Sequence, residues 1–240
     1  MRSCPAAHGS PLRHRPERAL PLARPGPLGG RISLRMISRS PPSIPTYQVK
    51  VTLLRIEPSN WRRLLLPGDA TFGVLHWAIQ QSMGWTNSHL HAFHRPDEPD
   101  VLITQPAFEI DYAEVIDEEE VSLLDVLEEE NTAIVYEYDF GDSWYHEVLV
   151  ERVFAESPRR RKLECIDGAR ACPPEDVGGV YGYAEFLEAM GDPSHERHAE
   201  LRKWYGRAFD PEKFLLKKAN RMLRGPEKRF DWMRGDDAYF

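Results

Sequence analysis

Between Asn131 and Phe154 the chain alternates twice. Ile134, Tyr136 and Tyr138 fall on one side of an extended run, and Trp144, His146, Val148 and Val150 fall on one side of the next. Aromatic and β-branched residues at period two mark strands with one buried face. The intervening Phe140-Gly-Asp-Ser143 predicts a tight turn between antiparallel partners, with Gly141 free to take positive φ. A two-stranded ribbon is barely stable alone, so the rest of the chain must supply more strands and a covering layer.

Those elements are legible on both sides. Tyr47 to Glu57 alternates, with Tyr47, Val49, Val51 and Leu53 on one face. Pro58 to Trp61 turns it, and Trp61 to Leu66 returns as a second strand. Thr71 to Met83 predicts a helix with Asp69 or Thr71 as cap, a stripe of Phe72, Leu75, Ala78, Ile79 and Met83, and Gly84 as its left-handed stop. His76 and Trp77 read as packing residues on that helix. Trp85 to Phe93 reads as a strand, as does Val101 to Thr104. Ser122 to Glu130 predicts a short capped helix. Leu163 to Ile166 starts another strand, turned by Asp167-Gly168. The remainder is helical: Tyr183 to Met190, Ser194 to Tyr205 with Leu201 and Trp204 as anchors, and a helix opened by Asp210-Pro211 that carries Phe214, Leu215, Ala219, Met222 and Leu223. Hairpins joined without helical crossovers predict an α+β class. The expected architecture is an antiparallel or mixed β-sheet packed with helices, an α/β-roll-like single domain over 46–224.

The flanks are different material. Residues 1–45 hold nine prolines, eight arginines and one acid, Glu17, with no apolar periodicity. Such a stretch cannot bury enough surface to order itself, so it reads as a disordered extension, with Met36 as an alternative start. Residues 225–240 read as a charged tail. A chain of net charge −7 with +7 in that extension carries −14 elsewhere. Nucleic acid is therefore an unfavourable partner for the body, despite the basic loop Ser157 to Lys162. Asp97 to Glu130 contains fourteen acids and no lysine or arginine, a solvated face or a docking surface for a basic protein. Three cysteines point to a reducing, cytoplasmic setting. No apolar run approaches the roughly 20 residues of a membrane helix.

Chemistry-bearing side chains gather in three places. On the strand predicted over Trp85 to Phe93, His89 and His91 share a face, with Cα atoms about 6–7 Å apart. Asp139, Asp142, Trp144 and His146 lie around the hairpin turn. Glu175 and Asp176 sit on the loop Cys172 to Gly182, where paired prolines stiffen the chain and Gly178, Gly179 and Gly182 let its backbone come close to something. Imidazoles with a carboxylate suit a divalent metal such as zinc or manganese; His89, His91, His146 and Asp142 are the candidate ligands. An open position there would support a metal-dependent hydrolase or nuclease. Against this stands a non-catalytic binding module, in which the histidines are core or rim groups and the aspartates cap a turn. In that class Tyr136, Tyr138, Trp144 and Tyr145 would make a stacking platform.

Several motifs in fixed order also carry a family likeness. Tyr47-Gln-Val-Lys-Val with Trp61-Arg-Arg, Gly84-Trp85 with His89-Leu-His-Ala-Phe93, Tyr138-Asp-Phe-Gly-Asp-Ser-Trp144 with His146, Pro173-Pro-Glu-Asp-Val-Gly-Gly179 with Tyr183, and Phe209-Asp-Pro211 together resemble the plasmid pRiA4b ORF-3-like family. The resemblance implies one α+β roll-like domain and an association with plasmids or insertion elements. Some members carry a TnpR-like label, but a serine recombinase needs a nucleophilic serine among arginines, and no such arrangement is present. The resemblance carries over no catalytic residues.

Overall fold

The computed structural model describes residues 44–106, 113–155 and 163–224. The proposed disordered extension, save its last two residues, the basic loop and the C-terminal tail lie outside them. Eight strands form one open mixed sheet: β1 (Thr46–Leu53), β2 (Trp61–Pro67), β3 (His91–Arg95), β4 (Glu98–Thr104), β5 (Glu114–Asp117), β6 (Ala133–Tyr138), β7 (Trp144–Phe154) and β8 (Glu164–Ala169). Their spatial order is β5-β4-β3-β6-β7-β1-β2-β8. Every pairing is antiparallel except β4 with β5. The helices are α1 (Phe72–Met83), α2 (Leu123–Val126), α3 (Gly179–Gly191), α4 (His198–Tyr205) and α5 (Leu216–Leu223). This is the α+β class that the hairpin pattern predicts. No described helix is long and apolar enough to cross a membrane.

The period-two faces become the core. Tyr47, Val49, Val51 and Leu53 on β1, Tyr136 and Tyr138 on β6, and Trp144, Val148 and Val150 on β7 are buried in one cluster with Phe72, Leu75 and Ile79 of α1 and Tyr183 and Phe186 of α3. The α1 cap is as expected: Thr71 Oγ1 accepts from Val74 N, and Gly84 closes the helix at φ 98°. The helix is buried nearly all round, which fits its place inside the fold.

Several boundaries differ from expectation for local reasons. Only the end of the stretch Trp85 to Phe93 is strand. Residues 85–90 form a loop, in which Asn87 sits at φ 58°. The hairpin turn places its positive φ at Asp139 (58°) and Ser143 (50°), not at Gly141. Asp167 and Gly168 do not turn the chain; they lie inside β8, beside a register shift against Arg63 and Leu64. The Asp210-Pro211 pair opens no regular helix, because Pro211 C=O accepts from Ala171 N and Asp210 Oδ1 from Glu212 N. The helix starts instead at Leu216. Trp204 is 47% exposed and so is a rim contact of Phe186 rather than an anchor. Within the acidic run, Glu118 is only 2% exposed.

One side chain of α5 substitutes for a strand neighbour. Asn220 Oδ1 accepts from Cys165 N (3.0 Å), and its Nδ2 donates to Cys165 O (2.6 Å). Asn220→Ala strands both backbone groups of β8 and is expected to cost about 1–2 kcal/mol in urea denaturation. An unchanged midpoint would show that water replaces the side chain without loss.

Candidate functional site

Three loops meet beside the β6–β7 turn. The first precedes β3 and carries His89, the second is the turn itself with Asp139, and the third precedes α3 with Asp176. His89 Nε2 lies 2.9 Å from Asp176 Oδ1 and 3.6 Å from Asp139 Oδ2. One ligand atom from each residue lies within 4.8 Å of the other two. The Nε2 atom is shielded from solvent yet makes no hydrogen bond, although it faces two carboxylates. Asp139 is buried and half-committed: its Oδ1 accepts from Gly141 N and Asp142 N, which leaves Oδ2 toward His89.

The backbone holds this arrangement in uncommon conformations. Asn87, Asp139, Ser143 and Asp176 all have φ between 50° and 59°. Left-handed conformations cost non-glycine residues free energy and persist only where their surroundings enforce them. The surroundings are visible. Glu175 accepts from Thr86 N (3.1 Å) and from the Tyr138 hydroxyl (2.6 Å), and also binds the Thr86 hydroxyl. It thereby ties the His89 loop to the Asp176 loop across β6. Asp142 Oδ2 accepts from Gly178 N (3.1 Å), joining the hairpin turn to the same loop. The close approach that the glycines predict is to protein backbone: a Cβ on Gly179 would lie 2.6 Å from Asp142 O, and one on Gly182 would lie 1.9 Å from Val177 O.

Of the residues the sequence singled out, His89, Asp139 and Asp176 converge, with Asp142 and Glu175 as their supports. His91, Trp144 and His146 do not join them. His89 and His91 share no strand face, because β3 begins only at His91. His91 Nε2 lies 2.6 Å from Glu118 Oε2, and its ring stacks on His76 at 3.4 Å between centroids. His146 is fully buried; its Nδ1 lies 3.4 Å from Tyr136 O, and its ring meets Trp85 edge-on at 5.4 Å. Trp144 packs on Trp85 and Tyr183. Of the four candidate ligands His89, His91, His146 and Asp142, only His89 lies in the group that converges, with Asp139 and Asp176.

Beneath the trio is a closed polar ring that sequence reasoning left as packing. Gln80 Nε2 donates to the Tyr136 hydroxyl (3.0 Å), which bonds His76 Nδ1 (2.8 Å). His76 Nε2 bonds Asn87 Oδ1 (2.8 Å), and Asn87 N donates to Gln80 Oε1 (3.1 Å). One neutral tautomer satisfies the ring, with the proton of His76 on Nε2 and the hydroxyl donating to Nδ1. Burial, helped by the neighbouring His91, pushes His76 down to about 3; burial alone does the same to His91. His146 is likewise held at about 4. Burial raises the Glu118 carboxyl. His76 and Gln80 hold Asn87, and through it the His89 loop, in place.

The structure thus brings one histidine and two carboxylates together on the loop rim of an open α+β sheet. Comparison with known proteins then places the chain: residues 45–218 match the family model described as plasmid pRiA4b ORF-3-like protein, and the protein belongs to that family. It is 41% identical over 160 residues to the uncharacterized protein y4hQ of Sinorhizobium fredii, a match covering 66% of this chain and 80% of that protein. The crystal structure of MM3350, a protein of unknown function from Methanosarcina mazei Go1, superposes with a TM-score of 0.65 at 34% identity, covering 74% of this chain and 97% of that one.

Proposed function

We propose that this protein is a divalent-cation-binding module in which His89, Asp139 and Asp176 hold zinc or manganese. The observation that carries the reading is the buried His89 Nε2, without a hydrogen bond and facing two carboxylate oxygens drawn from different loops. Imidazole nitrogen with carboxylate oxygen suits both ions, and two carboxylates balance a charge of +2. Glu175 and Asp142 act as the outer supports that fix ligand direction, and loss of such supports typically lowers metal affinity 10–100-fold.

Calorimetric titration of chelator-treated full-length protein with Zn²⁺ and Mn²⁺ tests this. One ion per chain is expected, with affinity lowered at least about tenfold by Asp139→Asn and by Glu175→Gln. Absence of binding, or equal affinity in the wild type and Asp139→Asn, would overturn the reading.

A hydrolytic role is the second reading. What favours it is a cleft of about 410 Å³ that opens beside the trio, lined by Ser88, Gln105 and Phe140 among others. Three protein ligands leave coordination positions for water and substrate. No lysine or arginine lines this cleft among the described residues, so an uncharged ester or amide suits it better than a phosphodiester. That argues for a hydrolase over a nuclease. A cytoplasmic location, a boundary of the domain at 46–224 and an association with plasmids or insertion elements complete the proposal; for plasmids the support is the wording of the family's description alone.

A further inference from the structure

On the other side of the Cys172–Pro174 loop lies a second groove, of about 490 Å³, between the end of α1 and the 205–222 segment. At its base is Arg62 of β2, which is 2% exposed. Four of its N–H groups are used, all on neutral carbonyls: Ser82 O (2.9 Å), Trp61 O (2.7 Å), Ala169 O (2.8 Å) and Arg170 O (3.0 Å). Its guanidinium carbon lies 4.3 Å from the centre of the Phe214 ring. A guanidinium has five N–H donors, and a buried charge is ordinarily met by an opposite one.

No carboxylate pairs with Arg62 among the described residues. Arg62 forms no ion pair; the arginines that do are Arg63, Arg95, Arg170 and Arg197. The thiols of Cys165 and Cys172 stand near it, and burial keeps both neutral by raising them. Two acids line the groove and keep their charge, but neither pairs with Arg62: Glu175 bonds Thr86 and Tyr138, and Asp210 accepts from Glu212 N. The groove also collects Arg207, Lys213 and Lys218, none of them in an ion pair, on a chain whose net charge is −7. The lining is mixed, somewhat more polar than apolar in exposed area, and its apolar walls include Met83, Trp85, Phe209, Phe214 and Met222. A concavity of a few hundred Å³ that joins apolar walls to placed polar groups is a usual form of small-molecule site.

We propose that this groove binds a small organic anion, an apolar ring or chain bearing a carboxylate or phosphate that supplies the counter-charge missing around Arg62. The proposal does not rest on the metal reading: Arg62, Lys213 and Lys218 take no part in the His89 cluster, and Glu175 is the residue that the two sites share.

The test uses full-length protein with chelator present, so that an anion coordinating a metal does not register as groove binding. Benzoate, phenyl phosphate and neutral benzamide serve as probes, followed by NMR shifts of the Trp85 indole N–H and the Met222 methyl. Benzoate or phenyl phosphate is expected to move both signals, with benzamide binding at least about tenfold more weakly. The comparison of the two anions assigns the head group. A Lys213→Glu/Lys218→Glu variant, changed at exposed positions, is expected to lose about tenfold in anion affinity while its melting temperature stays unchanged. Benzamide binding as tightly as the anions, a double variant equal to the wild type, or no shift with any probe at millimolar concentration would each overturn the proposal.

Discussion

Gly182→Ala is expected to destabilise the protein by about 2–4 kcal/mol and to abolish tight binding of Zn²⁺ or Mn²⁺. The added Cβ would lie 1.9 Å from Val177 O, far inside van der Waals contact, and the atom it meets is backbone and cannot rotate away. Gly182 N also donates to Gly178 O (3.0 Å), so the first turn of α3 is drawn tightly onto the preceding loop. Relief of the clash must move that loop, and Glu175 and Asp176 move with it. Gly179, at φ 66° and packed against Asp142 O, leaves no slack on the other side. Gly191→Ala is the control: a Cβ there meets nothing within 4 Å, and helix propensity alone predicts a neutral or slightly favourable change. Urea denaturation and metal titration of both variants check the expectation. A Gly182→Ala protein as stable as the wild type would show that the loop and helix are not so closely apposed.

Mild acid is the second large perturbation. His76, His91 and His146 are neutral in the folded protein, held at about 3, 3 and 4 against an ordinary 6.5. Below pH 6.5 the unfolded chain takes up protons at these three positions and the folded chain does not. The stability they confer is therefore complete above pH 6.5 and falls with pH until the folded groups titrate, by up to about 1.4 kcal/mol per pH unit for each histidine. Glu118 acts with the opposite sign. Its raised carboxyl contributes stability that is present below its ordinary value and lost as pH rises through the folded one, so it offsets part of the loss. Lowering the pH from 7 to 5.5 in metal-free buffer is expected to cost about 3 kcal/mol. Urea midpoints at the two values measure it, and a midpoint that does not move would mean that these imidazoles reach solvent.

How far the sequence foretold the structure depends on whether each signal was local. The pairs β1–β2 and β6–β7 and the helix α1 were legible because alternation, a cap and a glycine stop all act within a few residues. The stretch before β3 misled because His89-Leu-His91 continues the alternation backwards through Asn87. The left-handed residue that breaks it is held by a ring from α1 and β6, which no local pattern reveals. Asp210-Pro211 has the composition of a helix start, yet Ala171 N claims the carbonyl of Pro211 from forty residues away. Glu118 was hidden in a run of acids; only the pairing of β4 with β5 brings it to His91. For the same reason His89, Asp139 and Asp176 were legible as candidates but not as a set, since their meeting depends on Glu175 and Asp142, contacts 36 to 89 residues long in the chain.

The clasp of Asn220 on Cys165 bears on what this sheet can be joined to. An open sheet has two ends at which a further strand can be added, and proteins guard such ends against unwanted partners. At β8, a side chain already occupies backbone groups that an incoming strand would need. At the other end β5 offers only four residues and begins and ends with an acid, Glu114 and Asp117, a poor template for self-assembly because identical copies would set like charges together. A basic peptide would meet the opposite situation there. Strand addition from outside is thus confined to one end of the molecule and filtered by charge, and removal of Asn220 would expose a second, unfiltered end and turn a stability defect into a tendency to aggregate.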